Sequence, residues 1–518
     1  VTDRPRWFQT TAIDYPNSRP HIGTAFEKVG ADVQARYRRM EGYAVTFLMG
    51  TDENTLKVAD RAKELGEEPQ AYCDRMAGEF RRVWDALDIS YDVFVQTSHA
   101  RHKACCTKFV QRVFDNGHIY KGRYEGWYCP GCEEFKSDKV YAEAGGKCPN
   151  HGRPLERREE PCWKFRLSGF ADQLKAHLEG NPEFVQPDSR RNEMLGFLAD
   201  GLEDVNISRL GESWGIPVPF DPAFTIYVWF DALLTYVTGI GYGDDEQLFH
   251  SQWPCDVHFI GKDITRFHCL LWPAMCWAAG IEPPRRVFSH GFVTVDGNKM
   301  GKSMGNVVEP LAIVGKSSSD AYRYFFLREC PYPADGDYSG QRFEEVYKAD
   351  LASTYGNLLS RVVTVAAKSL GGVLPGTAGR APDVAVMGID PAAVVAEVRG
   401  HVEACRYHLA LAAVMQKLLY PANKYVDDTK PFSVVKADPA AASRLLFNLS
   451  EPLRAASVLL KPFIPRSAEA VYEALSFANP WAEVRYADAA TPEVPTSDLR
   501  VTAALEGGKP RPLFPQLA

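Results

Sequence analysis

The sequence predicts an α/β fold with a parallel sheet, split by an insertion and followed by a helical region, and three observations carry this. Strand-like and helix-like stretches alternate from Trp7 to about Asn116. From Gly117 to about Pro222 the alternation gives way to short mixed elements with closely spaced Cys, Gly and Pro residues. The alternation then resumes from Ile226, and beyond Tyr322 nearly everything carries helical periodicity.

Taken in order, Trp7 to Ile13 reads as a strand, and a turn rich in Pro16, Asn17, Ser18 and Pro20 follows it. A helix then starts near Gly23, with Phe26, Val29 and Val33 at helical spacing. Val45 to Met49 is a second strand, ending at Gly50, Thr51 and Asp52. Helices run to about Leu87, a strand covers Tyr91 to Val95, and a helix closes the first half. After the insertion come strands at Ile226 to Phe230 and Val257 to Ile260, a helix through Arg266 to Ala279, and a strand at Arg286 to Val293. The helical region breaks at Gly371 to Gly379 and Pro382, then carries amphipathic stretches at Pro391 to Asp428 and Pro439 to Leu460. These patterns divide the chain at 1–117, 118–225, 226–325, 326–360 and 361–518.

Length and composition bound the function. A chain of 518 residues has room for roughly two to four domains, each with a core. With 45% hydrophobic and 24% charged residues it reads as a globular protein, and its longest apolar run, Phe267 to Ile281, is interrupted by Pro273 and too short for a membrane span. The first residues lack a charged-then-apolar leader, which makes the cytoplasm the expected compartment. The net charge of −7 argues against a protein that coats nucleic acid, although a local basic face would not show in the sum.

Three motifs carry chemistry. Pro20-His21-Ile22-Gly23-Thr24 lies where the first strand hands over to the first helix, a position whose unsatisfied N–H groups suit a phosphate. Lys299-Met300-Gly301-Lys302-Ser303 sits on a loop after Asp296-Gly297-Asn298, and its two lysines suit the charge that develops on a polyphosphate. Cys129-Pro130-Gly131-Cys132 and, fifteen residues on, Cys148-Pro149-Asn150-His151 present four ligands for a tetrahedral, structural Zn²⁺. The other cysteines read as reduced thiols.

The first two motifs resemble the signatures of the class I aminoacyl-tRNA synthetases, usually written HIGH and KMSKS. The chain is similar to the methionyl members over almost its whole length, through Ala12-Ile13-Asp14-Tyr15-Pro16-Asn17, Gly50-Thr51-Asp52-Glu53, Tyr227-Val228-Trp229-Phe230-Asp231-Ala232 and His258-Phe259-Ile260-Gly261-Lys262-Asp263-Ile264. The likeness is to the bacterial type with one zinc knuckle. It implies a Rossmann sheet with a connective insertion, then an all-α anticodon-binding bundle.

It also implies a reaction and its residues. Methionine and ATP would give methionyl-adenylate and pyrophosphate, and the methionyl group would pass to tRNA(Met), with Mg²⁺ accompanying ATP. Ala12, Ile13, Tyr15, Trp229, Ala232, Tyr236, Ile264 and His268 would surround the thioether, and Asp52 would meet the ammonium. His21, Thr24, Lys299 and Lys302 would be the catalytic contacts to the phosphates, with Gly23, Glu27, Gly261, Asp263 and Val293 completing the ATP site. Asn423 and Trp481 would read anticodon bases. A monomer is expected, because no appended dimerisation domain fits in this length.

The pattern has departures. Thr24 replaces a second His, Gly301 replaces a Ser, Asn54-Thr55 stands where His-Gly commonly follows Asp-Glu, and Phe432 replaces a frequent Trp. Two alternatives stay open on the sequence: another class I synthetase, such as a cysteinyl or leucyl enzyme, and a catalytically silent relative that binds nucleic acid or regulates. The first would call for zinc in the amino-acid pocket or an editing insertion much larger than about 105 residues.

Overall fold

A computed structural model describes residues 4–129, 134–136, 138–149, 152–211, 214–301, 304–507 and 509–517. Strand β1 (Arg6–Thr11) is buried on both faces from Trp7 onward, as befits a central parallel strand. Helix α1 (Ile22–Met40) follows, opened by His21 as N-cap and closed with Arg38 and Arg39 in its last turn, where cations complement the helix dipole. Strands β2 (Ala44–Thr51) and β3 (Val93–Gln96) complete the first half.

The insertion centres on an antiparallel pair, β4 (Ile119–Cys129) and β5 (Glu156–Phe165), running from Ile119 opposite Phe165 to Tyr128 opposite Glu156. It also lends the sheet an edge, because the short β6 (Val185–Gln186) pairs in parallel with the strand Val287–His290. The second half adds β7 (Val257–Gly261) and β8 (Val287–His290). Strand order is β3-β2-β1-β7-β8-β6, all parallel, so the winding reverses between β1 and β7. Open sheets of this kind bind ligands beyond the carboxyl ends of the strands at that reversal.

One sequence expectation is corrected here. The strand expected at Ile226 to Phe230 ends at Ile226, the last residue of Asp221–Ile226, and Val228–Ala232 is helical. The earlier strand residues pair within the insertion, so Trp229 comes to the site on a helix rather than on the sheet.

Beyond the sheet, helix α2 (Ser319–Glu329) leads into a bundle of α3 (Asn357–Ser369), α4 (Pro391–Glu403), α5 (Tyr407–Val414), α6 (Tyr420–Thr429), α7 (Pro439–Leu460) and α8 (Pro465–Tyr472). The stretch expected as one long helix to Asp428 breaks between α4 and α5, where Cys405 takes a positive φ of 54°. Bundle and sheet share one core rather than two. Tyr407 Oη donates to Gly30 O (2.8 Å) and Tyr37 Oη to Glu403 Oε1 (2.7 Å) across the boundary. At the joint, the fully buried Arg323 of α2 pairs with Asp32 of α1 (2.8 Å) and donates to the carbonyls of Pro462 and Phe463 (2.8 and 2.7 Å). Among the described residues no helix is long and apolar enough to cross a membrane.

Candidate active site

Three strand ends are laced together where the winding reverses. Ala12 N donates to Phe259 O (3.0 Å), Asp14 N to Gly50 O (2.9 Å) and Asp52 N to Asp14 O (2.8 Å). This brings Ala12, Ile13 and Tyr15 beside Asp52. Gly50 is required there, because a methyl group on it would stand 2.2 Å from Val95 O and 3.3 Å from Ile13 Cγ2. Tyr15 is half-buried, and burial, with Asp52 nearby, pushes its phenol up to about 12.

The far wall comes from the second half. A π-helical turn at Phe267–Leu271 carries His268, which is buried. Tyr236 Oη lies 2.7 Å from His268 Nε2, and His268 Nδ1 lies 3.1 Å from Ile264 O. Burial lowers the imidazole pKa to about 4, so the ring is neutral: Nδ1–H donates to the carbonyl and Nε2 accepts from the tyrosine. Trp229 stacks face to face on Phe267, centroids 4.0 Å apart, and Ala232 is buried beside it. The eight apolar and aromatic positions and Asp52 therefore sit on segments that converge at one end of the sheet.

The carboxylate at this end is unusual. Asp52 is 8% exposed and its Oδ1 has no hydrogen-bond partner. Burial, together with Asp231 and Glu53, holds its carboxyl well above the usual carboxylate range. A buried acceptor beside other acids is a costly arrangement that a cation would relieve.

The phosphate side is built on His21. Its Nδ1 accepts from Gly23 N (3.1 Å) and Thr24 N (3.2 Å), while His21 N donates to Thr24 Oγ1 (3.4 Å), a reciprocal cap. Burial lowers the His21 pKa, so Nδ1 is the bare nitrogen and Nε2 carries the hydrogen. This corrects the expected free N–H groups. Ile22 N is bonded to Val308 O (3.0 Å), Gly23 N and Thr24 N to His21, and Ala25 N to His21 O (3.0 Å), so the donors this helix end offers are side-chain ones, the imidazole Nε2–H and the Thr24 hydroxyl.

The lysine loop lies against the same helix end. Besides the Ile22–Val308 bond, a methyl group on Gly23 would approach Met300 Cε to 3.2 Å. Asn306 braces the loop from within, accepting from Gly301 N (3.0 Å) and donating to Lys299 O (3.2 Å). Lys299 is exposed, whereas Lys302 and Ser303 lie outside the described residues. On the adenosine side Gly261 ends β7, Asp263 is exposed and Val293 is buried; a methyl group on Gly261 would meet Asp263 Oδ1 at 2.7 Å.

Glu27, expected to join the ATP site, is not a solvated helix carboxylate. It is 5% exposed, with Oε1 on Lys28 Nζ (2.7 Å) and Oε2 on His290 Nε2 (3.0 Å). Lys28, also buried, donates further to Asp14 Oδ1 (2.8 Å) and Ala12 O (2.9 Å). Asp14, Lys28 and His290 carry this buried network, and the sequence reading gave none of them a role. Their signal was a charged pair at positions whose neighbours are core.

The other expected sites lie apart. Cys129, at the end of β4, and Cys148 are buried in one small cluster with Leu155, beside Trp127 stacked on Tyr141 (3.5 Å). Cys148 N donates to Arg153 O and Gly152 N to Cys148 O, both 2.8 Å. Cys132 and His151 lie outside the described residues. In the bundle, the Asn423 amide donates to Thr354 O (3.2 Å) and Leu419 O (2.9 Å), and Trp481 packs on Tyr472 with Lys461 Nζ 4.2 Å above its ring.

Comparison with known proteins places this geometry. The family of tRNA synthetases class I (M) matches residues 7–363, and the anticodon binding domain of methionyl tRNA ligase matches residues 375–503. The methionine–tRNA ligase of Thermosynechococcus vestitus is 43% identical over 92% of this chain and 90% of its own, and that of Caldanaerobacter subterraneus is 42% identical over 91% and 74%. The structure of Mycobacterium tuberculosis methionyl-tRNA synthetase in complex with methionyl-adenylate superposes with a TM-score of 0.87 at 37% identity, covering 98% of this chain and all of that one. Its apo form gives 0.81. With both halves of the sheet, the insertion and the bundle inside these matches, the chain belongs to the methionyl-tRNA synthetases of class I.

Proposed function

We propose that the site at the sheet reversal activates L-methionine with ATP, forming methionyl-adenylate and pyrophosphate, and then transfers the methionyl group to the 3′-terminal ribose of tRNA(Met) for translation. The observation that carries this reading is the unpartnered Asp52 Oδ1, buried at the sheet end where the aromatic and aliphatic side chains of the second half converge. A free amino acid with a soft side chain fits both features.

The chemistry needs no protein nucleophile, since the methionine carboxylate attacks the α-phosphorus and pyrophosphate leaves. The protein positions and stabilises. Asp52 takes the ammonium; Ala12, Ile13, Tyr15, Trp229, Ala232, Ile264 and the Tyr236–His268 pair enclose the thioether. His21 donates Nε2–H to a phosphate oxygen, Thr24 adds its hydroxyl, and Lys299 and Lys302 close on the departing pyrophosphate. Gly23 allows the close approach, and Gly261, Asp263 and Val293 line the adenosine side. Glu27 acts behind the site, holding His290 under Gly261.

Mg²⁺ would accompany ATP and neutralise the charge on its phosphates. Zn²⁺ fits the insertion, where the two described thiols of the set are buried together; Cys129, Cys132, Cys148 and His151 would hold it in a structural role. Asn423 and Trp481 would meet the anticodon, and the protein would work as a cytoplasmic monomer. The deciding experiment is methionine-dependent exchange of pyrophosphate into ATP. Exchange that requires methionine and vanishes in Asp52→Ala supports the reading, and purified, folded protein without exchange sinks it.

A further inference from the structure

Asp231 is fully buried on the helix Val228–Ala232, two residues after the pocket's Trp229. Its Oδ2 accepts from Asn54 Nδ2 (3.1 Å), while Asp231 Oδ1 has no hydrogen-bond partner and lies 3.8 Å from His102 Nε2. Asn54 is itself 4% exposed, and its Oδ1 is also unpartnered. With Asp52 Oδ1, three acceptor oxygens are buried without donors, on residues joined by the Asn54–Asp231 bond and by two residues of chain from Asp52 to Asn54. Acceptors in such number need hydrogens: a proton, or the N–H groups of a ligand.

The charges around them do not supply it. Glu53, beside Asp52, accepts from Thr51, Gln96 and Ser98 and adds negative charge. On the helix Ala100–Asp115, His102 is neutral, its pKa lowered to about 3 by burial, and its ring faces Thr238 Oγ1 (3.0 Å) and Cys106 Sγ (3.1 Å). Burial also holds the Cys106 thiol protonated. Burial holds the Asp231 carboxyl well above the usual carboxylate range, against the weaker pull of the Asn54 amide and of Lys103, whose ammonium lies over Trp214 (5.3 Å). Tyr15 faces Asp52 as a neutral phenol, and Cys73 faces Glu53 as a neutral thiol. The residue that links the two aspartates, two positions after Asp52 and bonded to Asp231, is the neutral Asn54.

We propose that Asp231 and Asp52 together hold one proton in the free protein, and that the ammonium of methionine displaces it, so that binding the amino acid releases a proton to solvent. Before binding, the pair carries one negative charge and one carboxyl O–H. Afterwards the proton is on the buffer, both carboxylates are ionised, and the ammonium stands between them and water. Asp231 is thus a positioning residue that sets the charge on Asp52. The inference rests on Asp52 as the ammonium contact.

Calorimetric titration of methionine into the whole protein, at mildly acidic pH and in buffers of different ionisation enthalpy, tests it. The expected result is about one proton released per methionine and a methionine Kd that falls about tenfold per pH unit while the proton is held. In Asp231→Asn, release and pH dependence should both vanish, with ATP affinity unchanged as the reference. Binding whose enthalpy does not vary with buffer, or release that persists in Asp231→Asn, overturns the proposal and leaves the methionine site standing. No methionine binding at all overturns the functional reading beneath it.

Discussion

Glu27 Oε2 and His290 Nε2 stand 3.0 Å apart although 263 residues separate them in sequence, so one buried contact joins the two halves of the split sheet. His290 also lies 5.5 Å from Tyr332 in a stacked arrangement, and its Nδ1 meets Gly291 O at 2.7 Å. His290→Ala should cost about 2 to 3 kcal/mol, the scale of a lost hydrogen bond to a charged group. It should also raise the KM for ATP more than that for methionine, because His290 underlies Gly261. Urea unfolding and exchange kinetics check both; equal stability, or a selective methionine defect, counts against this role.

Asp14 gives a pH signature. Burial raises its pKa from 3.8 to about 7, against the opposing pull of Lys28. The folded chain therefore keeps a proton that the unfolded chain releases, and this group's contribution to stability falls as pH rises through that window and is flat above it. Asp14→Asn should remove the fall, which is at most about 1.4 kcal/mol per pH unit. Parallel stability-against-pH curves for the two proteins would refute it.

Tyr236→Phe deletes the donor to His268 Nε2 and leaves a buried acceptor bare. A cost of about 1 to 3 kcal/mol follows. With the pair in the proposed methionine site, part of the loss should appear as a several-fold higher methionine KM, with ATP unaffected. An unchanged methionine KM would remove the pair from the pocket.

Gly23→Ala probes the loop contact. The new methyl group would press on His21 Cε1 and Nδ1 (3.1 Å each) and on Met300 Cε (3.2 Å), side-chain atoms that can give by a few tenths of an ångström, so stability should change little while the His21 ring and the loop shift together. Adenylate formation should slow by about 10²-fold, the scale for a 1 Å misplacement of a catalytic group. Rapid-quench measurement of that step at the wild-type rate would mean the loop does not act from this contact.

Cys148→Ser should lower zinc content below one ion per chain and make the segment around β4 and β5 more susceptible to proteolysis, since metal binding at such sites is coupled to folding. Stoichiometric zinc in the variant would overturn the assignment.

Much of the fold was legible because parallel strands read as apolar runs and the motifs fall where strand passes to helix. Phe26, Val29 and Val33, spaced as a helix face, are all fully buried. What the sequence hid was non-local. Trp229 was read on a strand because Ile226 to Phe230 is an apolar run, and only pairing within the insertion ends that strand at Ile226. His21 was expected to share the helix N-terminus with free N–H groups, but a carbonyl from the lysine loop, near 300 residues on, takes one of them. The pairing of Lys28 with Asp14 was not legible: core neighbours along the helix mark Lys28 as buried, but not which carboxylate meets it.

The Arg323 joint bears on how the far end of a tRNA is measured. A guanidinium that spends its donors on Asp32, Pro462 and Phe463, with no solvent access, cannot let go of one side without stranding a buried charge. For a tRNA held at both ends as proposed above, any change in the spacing of sheet and bundle at this joint would have to break that buried pair first.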